Sequence, residues 1–521
     1  LERYDTIVVG AGIAGQIAAS FLAKAGKRVL LLEQNHHTGG NMSGFSRKGF
    51  YFDGGDQSFE SLGLVFPILK ELAGFGPEDF IKARYRMVSK DFDFFIDSPA
   101  QVEEDLQRAF PAEPGIAPLF REIREVERFL EENYDPWDFP LINRPAVKSA
   151  AKIVKWLPKL KKWSAFRYRE RVLEQIEDPG LRNWLTYVGY YRMPYLFFAG
   201  FWHLWAKDYW YPHGGMQALH DRLAEAFRGY GGELRLNTLV SSIDPDSTGR
   251  RAASVSTASG ERFEADAVVW AGDYKKLIDE VLGPQYFPRR TVRRLSEARL
   301  SEALVSVYLG LDMSDAELGE QLKHAQHPFY FPNYEVIFPD AGSPKEVHRQ
   351  MWVALNHFGE ESPAAPAGKA ALTLQTFTSF DWQNYWRNGG FEAEDPAKGI
   401  GGYRRSPEYR EFKEKVGMEL VESAEKLIPG LRERIEYMDV GSPLSLYRFT
   451  RNSEGSSGGW CYDDQVSPVW RLAGLNRMRT PLKNLYAAGH YALWPGGVIS
   501  AALSGRIAAN MVLRRFPLAA F

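Results

Sequence analysis

The chain opens on an apolar run, Thr6-Ile-Val-Val, that stops at Gly10-Ala-Gly12-Ile-Ala-Gly15 and passes into Gln16-Ile-Ala-Ala-Ser-Phe-Leu-Ala-Lys. A continuous apolar run, a glycine turn and then small and apolar residues at helical spacing predict strand, tight turn and helix. A second run, Arg28-Val-Leu-Leu-Leu-Glu33, follows Gly26 as a helix stop and predicts a strand ending on an acid. Gln34 to Gly44 is polar and glycine-rich, a loop too short for a helix, and Gly49-Phe-Tyr-Phe-Asp53 alternates into Gly54-Gly55.

Helical periodicity then dominates from about Glu60 to Asp178. Within it, Val147 to Arg171 carries nine Lys or Arg and one acid, Glu170, interleaved with Trp156, Leu157, Leu160, Trp163 and Phe166. This is the pattern of an interfacial membrane segment, and equally of a solvated basic face with two tryptophans in the core. Asn183 to Pro212 is an aromatic centre, from Tyr187 through Phe197, Phe201 and Trp205 to Tyr211, which suits packed core or an apolar binding wall. A helix is predicted over Met216 to Tyr230 and a strand from Gly232 to Val240. A strand pair, Ala252 to Ser256 and Arg262 to Phe263, and a return strand over Ala265 to Asp273 follow. Between Glu302 and Asp439 strands are predicted at 303–310, 351–355 and 371–377, with a long amphipathic helix from Pro407 to Leu427 and loops at 362–368 and 388–402. The chain closes on strand, glycine turn and helix: Asn484-Leu-Tyr-Ala-Ala-Gly489-His490, then Trp494-Pro495-Gly496-Gly497-Val498.

Composition narrows the partners. A chain of 521 residues holds two to four ordinary domains or one large two-domain enzyme. A net charge of -2 gives no basic footprint for nucleic acid. One cysteine, Cys461, excludes an intrachain disulfide framework and fits a reducing compartment. No apolar run reaches transmembrane length, so a cytoplasmic protein is expected, with peripheral membrane contact through 147–171. His36, His37, His213 and His220 lack the spacing of a metal site, and no metal is expected.

The glycines carry the chemistry. Gly10 allows the turn, Gly12 lets backbone approach a pyrophosphate, Gly15 lets helix pack on strand, and the helix N-terminus offers N–H groups to phosphate. Glu33, about 20 residues on, is placed to accept from ribose hydroxyls. The series from Gly10 to Gly55 resembles the N-terminal FAD-binding unit of the amine oxidase and phytoene desaturase superfamily. Tyr211-Pro-His213-Gly-Gly resembles its return into the FAD domain, and Gly489 to Val498 the closing motif of its phytoene desaturase, carotenoid isomerase and retinol saturase branch.

The resemblance implies an α/β fold: a Rossmann-like (GR2-type) FAD-binding domain assembled from 1–70, 211–300 and 441–521, with an inserted α+β substrate domain from 71–210 and 301–440. It implies noncovalent FAD on Gly10, Gly12, Ile13, Ala14, Gly15, Glu33, Gln34, Gly39, Gly40, Asn41, Ser43 and Gly55. It adds Val240 against the adenine, Gly489 and His490 at the phosphate or ribityl chain, and Gly496, Gly497 and Val498 at the flavin. Tyr211, His213 and Trp494 become candidate pocket walls, with no catalytic acid or base assigned. Two positions depart from the pattern. Asn41 stands where many relatives carry a basic residue, so no arginine–phosphate contact is inherited, and His490 stands where many carry Asp. Gly458-Gly459-Trp460-Cys461-Tyr462 resembles the segment of amine oxidases with a cysteinyl flavin, but Trp460 intervenes. The activity implied is FAD-dependent desaturation, saturation or isomerisation of a carotenoid, retinoid or related polyene. A flavin amine oxidase and a non-catalytic flavin-bearing membrane-associated protein are the alternatives. Oligomeric state is left open.

Overall fold

The computed structural model describes residues 2–143, 152–189, 193–336, 353–378, 407–461, 478–493 and 496–516. The first two apolar runs are buried nearly throughout, as parallel strands covered on both faces must be. Strand β1 (Glu2–Val9) pairs in parallel with β2 (Val29–Leu32), Ile7 opposite Leu30, and the helix Ile13–Lys24 is the crossover. Beyond β2 lies β9 (Glu233–Arg235). On its other edge β1 pairs in parallel with β12 (Arg262–Trp270). The outer edge of β12 is shared: Arg262–Glu264 pair with β11 (Ala252–Thr257), and Val268–Trp270 with β18 (Leu485–Ala487). β10 (Val240–Pro245) closes the edge against β11. One sheet is thus assembled from the two ends and the middle of the chain.

A second sheet runs β17 (Ile435–Gly441), β13 (Ala303–Leu311), β16 (Ala370–Thr378), β15 (Val353–Asn356), β14 (His327–Tyr330), β6 (Tyr85–Val88), β7 (Asp93–Phe95). Its pairings are antiparallel except β14 with β6. Two ribbons complete the fold: β3 (Gly44–Arg47) with β4 (Phe50–Asp53), and β5 (Phe80–Lys82) with β8 (Trp210–Pro212). The C-terminal helix Gly497–Val512 lies on Ile13–Lys24 so closely that a Cβ on Gly505 would sit 2.4 Å from the Ala14 carbonyl oxygen.

Several sequence expectations are adjusted. The strand expected to run into Val240 breaks after Arg235. Asn237 adopts a left-handed φ of 54° and donates its N–H to the Asn35 carbonyl, so Val240 begins a new strand. The loop after Glu33 contains a single 3-10 turn, Gly40–Met42. The amphipathic helix ends at Ala424, and the expected loop 388–402 lies outside the described residues.

The aromatic centre divides into two roles. Trp184, Trp202, Tyr168 and Tyr195 are fully buried among the helices Ile116–Asn133, Tyr168–Gln175, Pro179–Tyr187 and Tyr195–Lys207, while other rings face a cavity. The basic segment resolves toward its blander reading at both tryptophans. Trp156 and Trp163 are buried, Trp156 donating its indole N–H to Glu132 at 2.9 Å, because this segment packs on the acidic helix Ile116–Asn133. Lys155 and Lys159 pair with Glu132 and Glu125 of that helix at 2.6 and 3.0 Å. Its outward face keeps Lys161, Lys162, Val154 and Leu157 exposed. Residues 147–151 lie outside the described residues. No helix among the described residues is long and apolar enough to cross a membrane.

Candidate cofactor and substrate site

The cradle is built by the turn after β1. Gly10 has a φ of 96°, which glycine adopts without strain. A Cβ on Gly15 would lie 1.8 Å from the Gly10 carbonyl oxygen, so only glycine lets the helix begin so close to the strand. Gly12 differs: a Cβ there would meet nothing nearer than the Gly39 carbonyl oxygen at 3.9 Å. The helix Ile13–Lys24 has no side-chain cap at Gly12, and the C-terminal helix has none at Gly496. Both helices open on the same cavity with first-turn N–H groups available to an anionic ligand, the arrangement a dinucleotide needs.

Glu33 holds the turn together. Its carboxylate accepts from the Ala11 N–H at 2.8 Å and the Asn35 N–H at 2.9 Å, and burial raises its pKa against the pull of those bonds. Gly39 and Gly40, at φ 125° and 59°, bring the second loop alongside, where the Gly39 N–H donates to the Ala11 carbonyl. Asn41 spends its amide on the protein, donating to the Ser457 carbonyl at 2.8 Å and so tying this loop to the C-terminal part of the chain. His490 is half-buried, and desolvation pushes its pKa down to about 4, leaving a neutral imidazole at the cavity.

These features line one cavity of about 950 Å³, at the upper end of ordinary ligand pockets (roughly 300–1,000 Å³). One part is the glycine cradle. The other is apolar, with Phe197, Phe201 and Trp205 from the aromatic helix facing Leu304, Phe329 and Phe377 from the second sheet. The cavity is thus glycine-lined and polar at one end and apolar and aromatic at the other.

Of the residues singled out in the sequence, Gly10, Gly12, Ile13, Ala14, Glu33, Gln34, Gly39, Gly40, Asn41, Gly55, Val240, Gly489, His490, Gly496, Gly497 and Val498 all line this cavity. Gly15 and Ser43 do not: Gly15 is spent on packing, and the Ser43 backbone closes the loop by bonding to the Gly40 carbonyl and the Gly54 N–H. Tyr211 is corrected as a pocket wall. Its hydroxyl donates to Asp53 at 2.6 Å and its ring stacks on Phe358, which turns it into a separate small pocket. His213 is exposed, with Nδ1 2.8 Å from the Glu361 carbonyl oxygen, and is corrected likewise. Trp494 lies outside the described residues. Cys461 is buried and does not line the cavity.

The sequence reading missed the acids and polar groups of the cavity. Asp56 and Glu60 line it on the segment after Gly55, with Tyr85, Tyr209 and His327 close by in the lining. Burial raises Asp56 to about 7, helped by the Asp53 charge. It raises Glu60 to about 8, helped by Asp208 and Asp56. The only available signal was two acids beside a Gly-Gly turn, and nothing local marks them as facing a cavity. Away from the cavity, ligand atoms of Glu127, Glu131 and His203 lie within 4.8 Å of one another, a grouping that spacing did not reveal.

The described family of flavin-containing amine oxidoreductases matches residues 13–386, more than half of the chain. An all-trans-retinol 13,14-reductase from Danio rerio is 26% identical over 98% of this chain and 86% of its own. A lycopene-forming phytoene desaturase from Pseudescherichia vulneris is 26% identical over 64% of this chain and 68% of its own. Among solved structures, an oxidoreductase from Methanosarcina mazei superposes with a TM-score of 0.60 at 16% identity, over 98% of this chain and 100% of its own. The family match joins the two uncapped helix starts facing one cavity: the chain belongs to the flavin-containing amine oxidoreductases and is an FAD-dependent oxidoreductase.

Proposed function

We propose that this enzyme acts on a long, apolar, unsaturated substrate, a carotenoid, retinoid or related polyene, by desaturation, saturation or flavin-assisted isomerisation. The observation that carries the reading is the single cavity running from the glycine cradle to an aromatic wall. The names of the retinol reductase and the phytoene desaturase support the same substrate class. Bound FAD supplies hydride transfer. The chain's part is to hold the cofactor, align an extended carbon chain along Phe197, Phe201 and Phe377, and exclude water.

In this reading Gly10, Gly12, Ile13 and Ala14 hold the pyrophosphate, Glu33 and Gln34 the adenosine ribose, and Val240 the adenine. Gly489 and His490 meet the ribityl end, and Gly496, Gly497 and Val498 the flavin. FAD is held noncovalently, since Cys461 lies away from the cavity. The cofactor domain comprises 1–70, 211–300 and 441–521, and the substrate domain 71–210 and 301–440. The basic segment rests on a membrane surface from which an apolar substrate is drawn.

Anaerobic mixing of the FAD-loaded protein with a panel of polyenes tests the reading. Bleaching of the oxidised flavin band, or a shift in the polyene spectrum, is expected. Flavin reduction by amines and by no polyene would replace this reading with an amine oxidase.

A further inference from the structure

The segment Gly55–Glu60 joins the two halves of the cavity. Gln375 of the second sheet donates to the Gly55 carbonyl at 2.8 Å, and the Asp56 N–H donates to the Asn41 carbonyl at 3.1 Å. Phe59 exchanges both backbone bonds with Trp210 at 3.0 and 2.9 Å. At the far end, a Cβ on Gly497 would sit 2.8 Å from Glu60 Oε1, so the Glu60 carboxyl lies against the first residue of the C-terminal helix. Within this pinned segment the Asp56 carboxyl accepts no hydrogen bond from the described residues. It is half-buried and lines the cavity. An acid held by its backbone, with a tip unbonded among the described residues, is positioned for a partner that enters from the cavity.

We propose that Asp56 is the acid–base residue that exchanges a proton with the polyene carbon beside the one exchanging hydride. The proposal rests on the polyene reading above. In saturation the π pair of a C=C bond is used: hydride adds to one carbon and the Asp56 proton to the other. Two C–H bonds form and Asp56 is left as carboxylate. The electrons arrive with the hydride from reduced FAD, regenerated by a two-electron donor such as dithionite or a reduced nicotinamide. In desaturation the carboxylate takes the proton, hydride leaves to oxidised FAD, and a quinone or dioxygen removes the electrons.

The electrostatics suit the task. A proton donor works best with a pKa near the working pH, and burial with the neighbouring Asp53 raises Asp56 to about 7. Glu60, at about 8, with Asp208 and Tyr209 beside it, stays largely protonated and adds little charge. Tyr134 is raised by burial and by Asp208, so it too is neutral, and His203 acts on Asp208 rather than on Asp56. His327 and His490 are both lowered to about 4 and uncharged. Saturation therefore slows as pH rises through about 7, because the acid form is lost, and desaturation quickens over the same window.

The test uses the FAD-loaded protein. Below pH 7 the infrared spectrum of the wild type is expected to contain a neutral carboxyl band that D56N lacks and that fades as pH rises through about 7. D56N changes a tip that has no hydrogen bond among the described residues and leaves every backbone bond of the segment, so folding and polyene binding, read by tryptophan quenching, are expected to persist. Turnover is expected to fall about 100-fold, its pH dependence to flatten, and D56E to restore part of it. Turnover in D56N within about threefold of wild type, with the wild-type pH profile, or absence of the infrared band, would overturn the proposal. A wild type inert toward every polyene fails the functional reading and takes the proton role with it. Active wild type beside an unaffected D56N fails the proton role alone.

Discussion

Gly12 and Gly15 stand three residues apart in one motif and do different work, and the difference is measurable. A Cβ on Gly15 would collide with the Gly10 carbonyl oxygen at 1.8 Å, whereas one on Gly12 stays 3.9 Å from any protein atom outside its immediate chain neighbours, at an ordinary φ of -68°. Gly15→Ala is therefore an overpacking change, expected to cost about 1–3 kcal/mol of stability even without cofactor. Gly12→Ala is expected to leave the cofactor-free protein as stable as wild type while abolishing FAD retention, because its methyl occupies the space of the pyrophosphate. Thermal melts of the cofactor-free proteins, together with the flavin-to-protein absorbance ratio, separate the two; equal losses of stability would show that Gly12 is also a packing residue. Both glycines were legible because their roles follow from a local turn. Asp56 was not, because its raised pKa depends on burial among elements far from it in the chain, such as the sheet strand carrying Gln375. Tyr211 differs from expectation for the same reason: the family resemblance implies a pocket wall, but Asp53, at the end of β4, claims its hydroxyl and orients the ring.

At the scale of elements, amphipathic spacing told where the helices lie better than which face each would bury. The basic helix Leu157–Trp163 illustrates this: alternation of Lys with Trp reads as an interfacial segment, yet the acidic helix Ile116–Asn133 claims Trp156, Lys155 and Lys159. What remains outward is Lys161 and Lys162 beside Leu157, which is 53% exposed, and Val154, 60% exposed. Two ammonium groups without an ion-pair partner among the described residues contribute roughly 1 kcal/mol each near an anionic surface. Changing Lys161 and Lys162 to Glu is thus expected to lower flotation with phosphatidylserine-containing vesicles by at least about tenfold at low salt. Trp156→Phe is expected to leave flotation unchanged, since that ring faces the core. Equal flotation of the charge-reversed protein would remove this helix from any membrane role. The aromatic helix Tyr195–Lys207 shows the converse: its composition fitted both core and binding wall, and it serves as both, with Trp202 inward and Phe197, Phe201 and Trp205 toward the cavity.

At the scale of the whole molecule, the cofactor cradle depends on chain closure. β1 and β18 flank β12 on its two edges, so the glycine turn near residue 10 and the one near residue 489 follow strands held by the same central strand of one sheet. The sequence reading reached this from the two motifs, since each is a half-site that needs the other. It could not supply the pairing partner, because nothing in Arg262–Trp270 announces that three strands will share it. The helices that follow the two turns pack on each other through Gly505 and the Ala14 carbonyl, and both leave first-turn N–H groups uncapped toward the cavity. Removing FAD leaves those groups and the facing loops without their ligand at both ends of the chain at once, while the second sheet keeps its own core around Val307, Leu309 and Leu372. Hydrogen exchange in cofactor-free protein is therefore expected to rise together at 10–16 and at 489–493 and 496–501, with β13 and β16 unchanged, and excess FAD is expected to restore both ends of the chain in parallel. At about 100 times the dissociation constant, FAD is expected to add about 2.7 kcal/mol to stability. Protection lost at one terminus alone would mean that the two half-sites bind independently, against the shared strand that joins them.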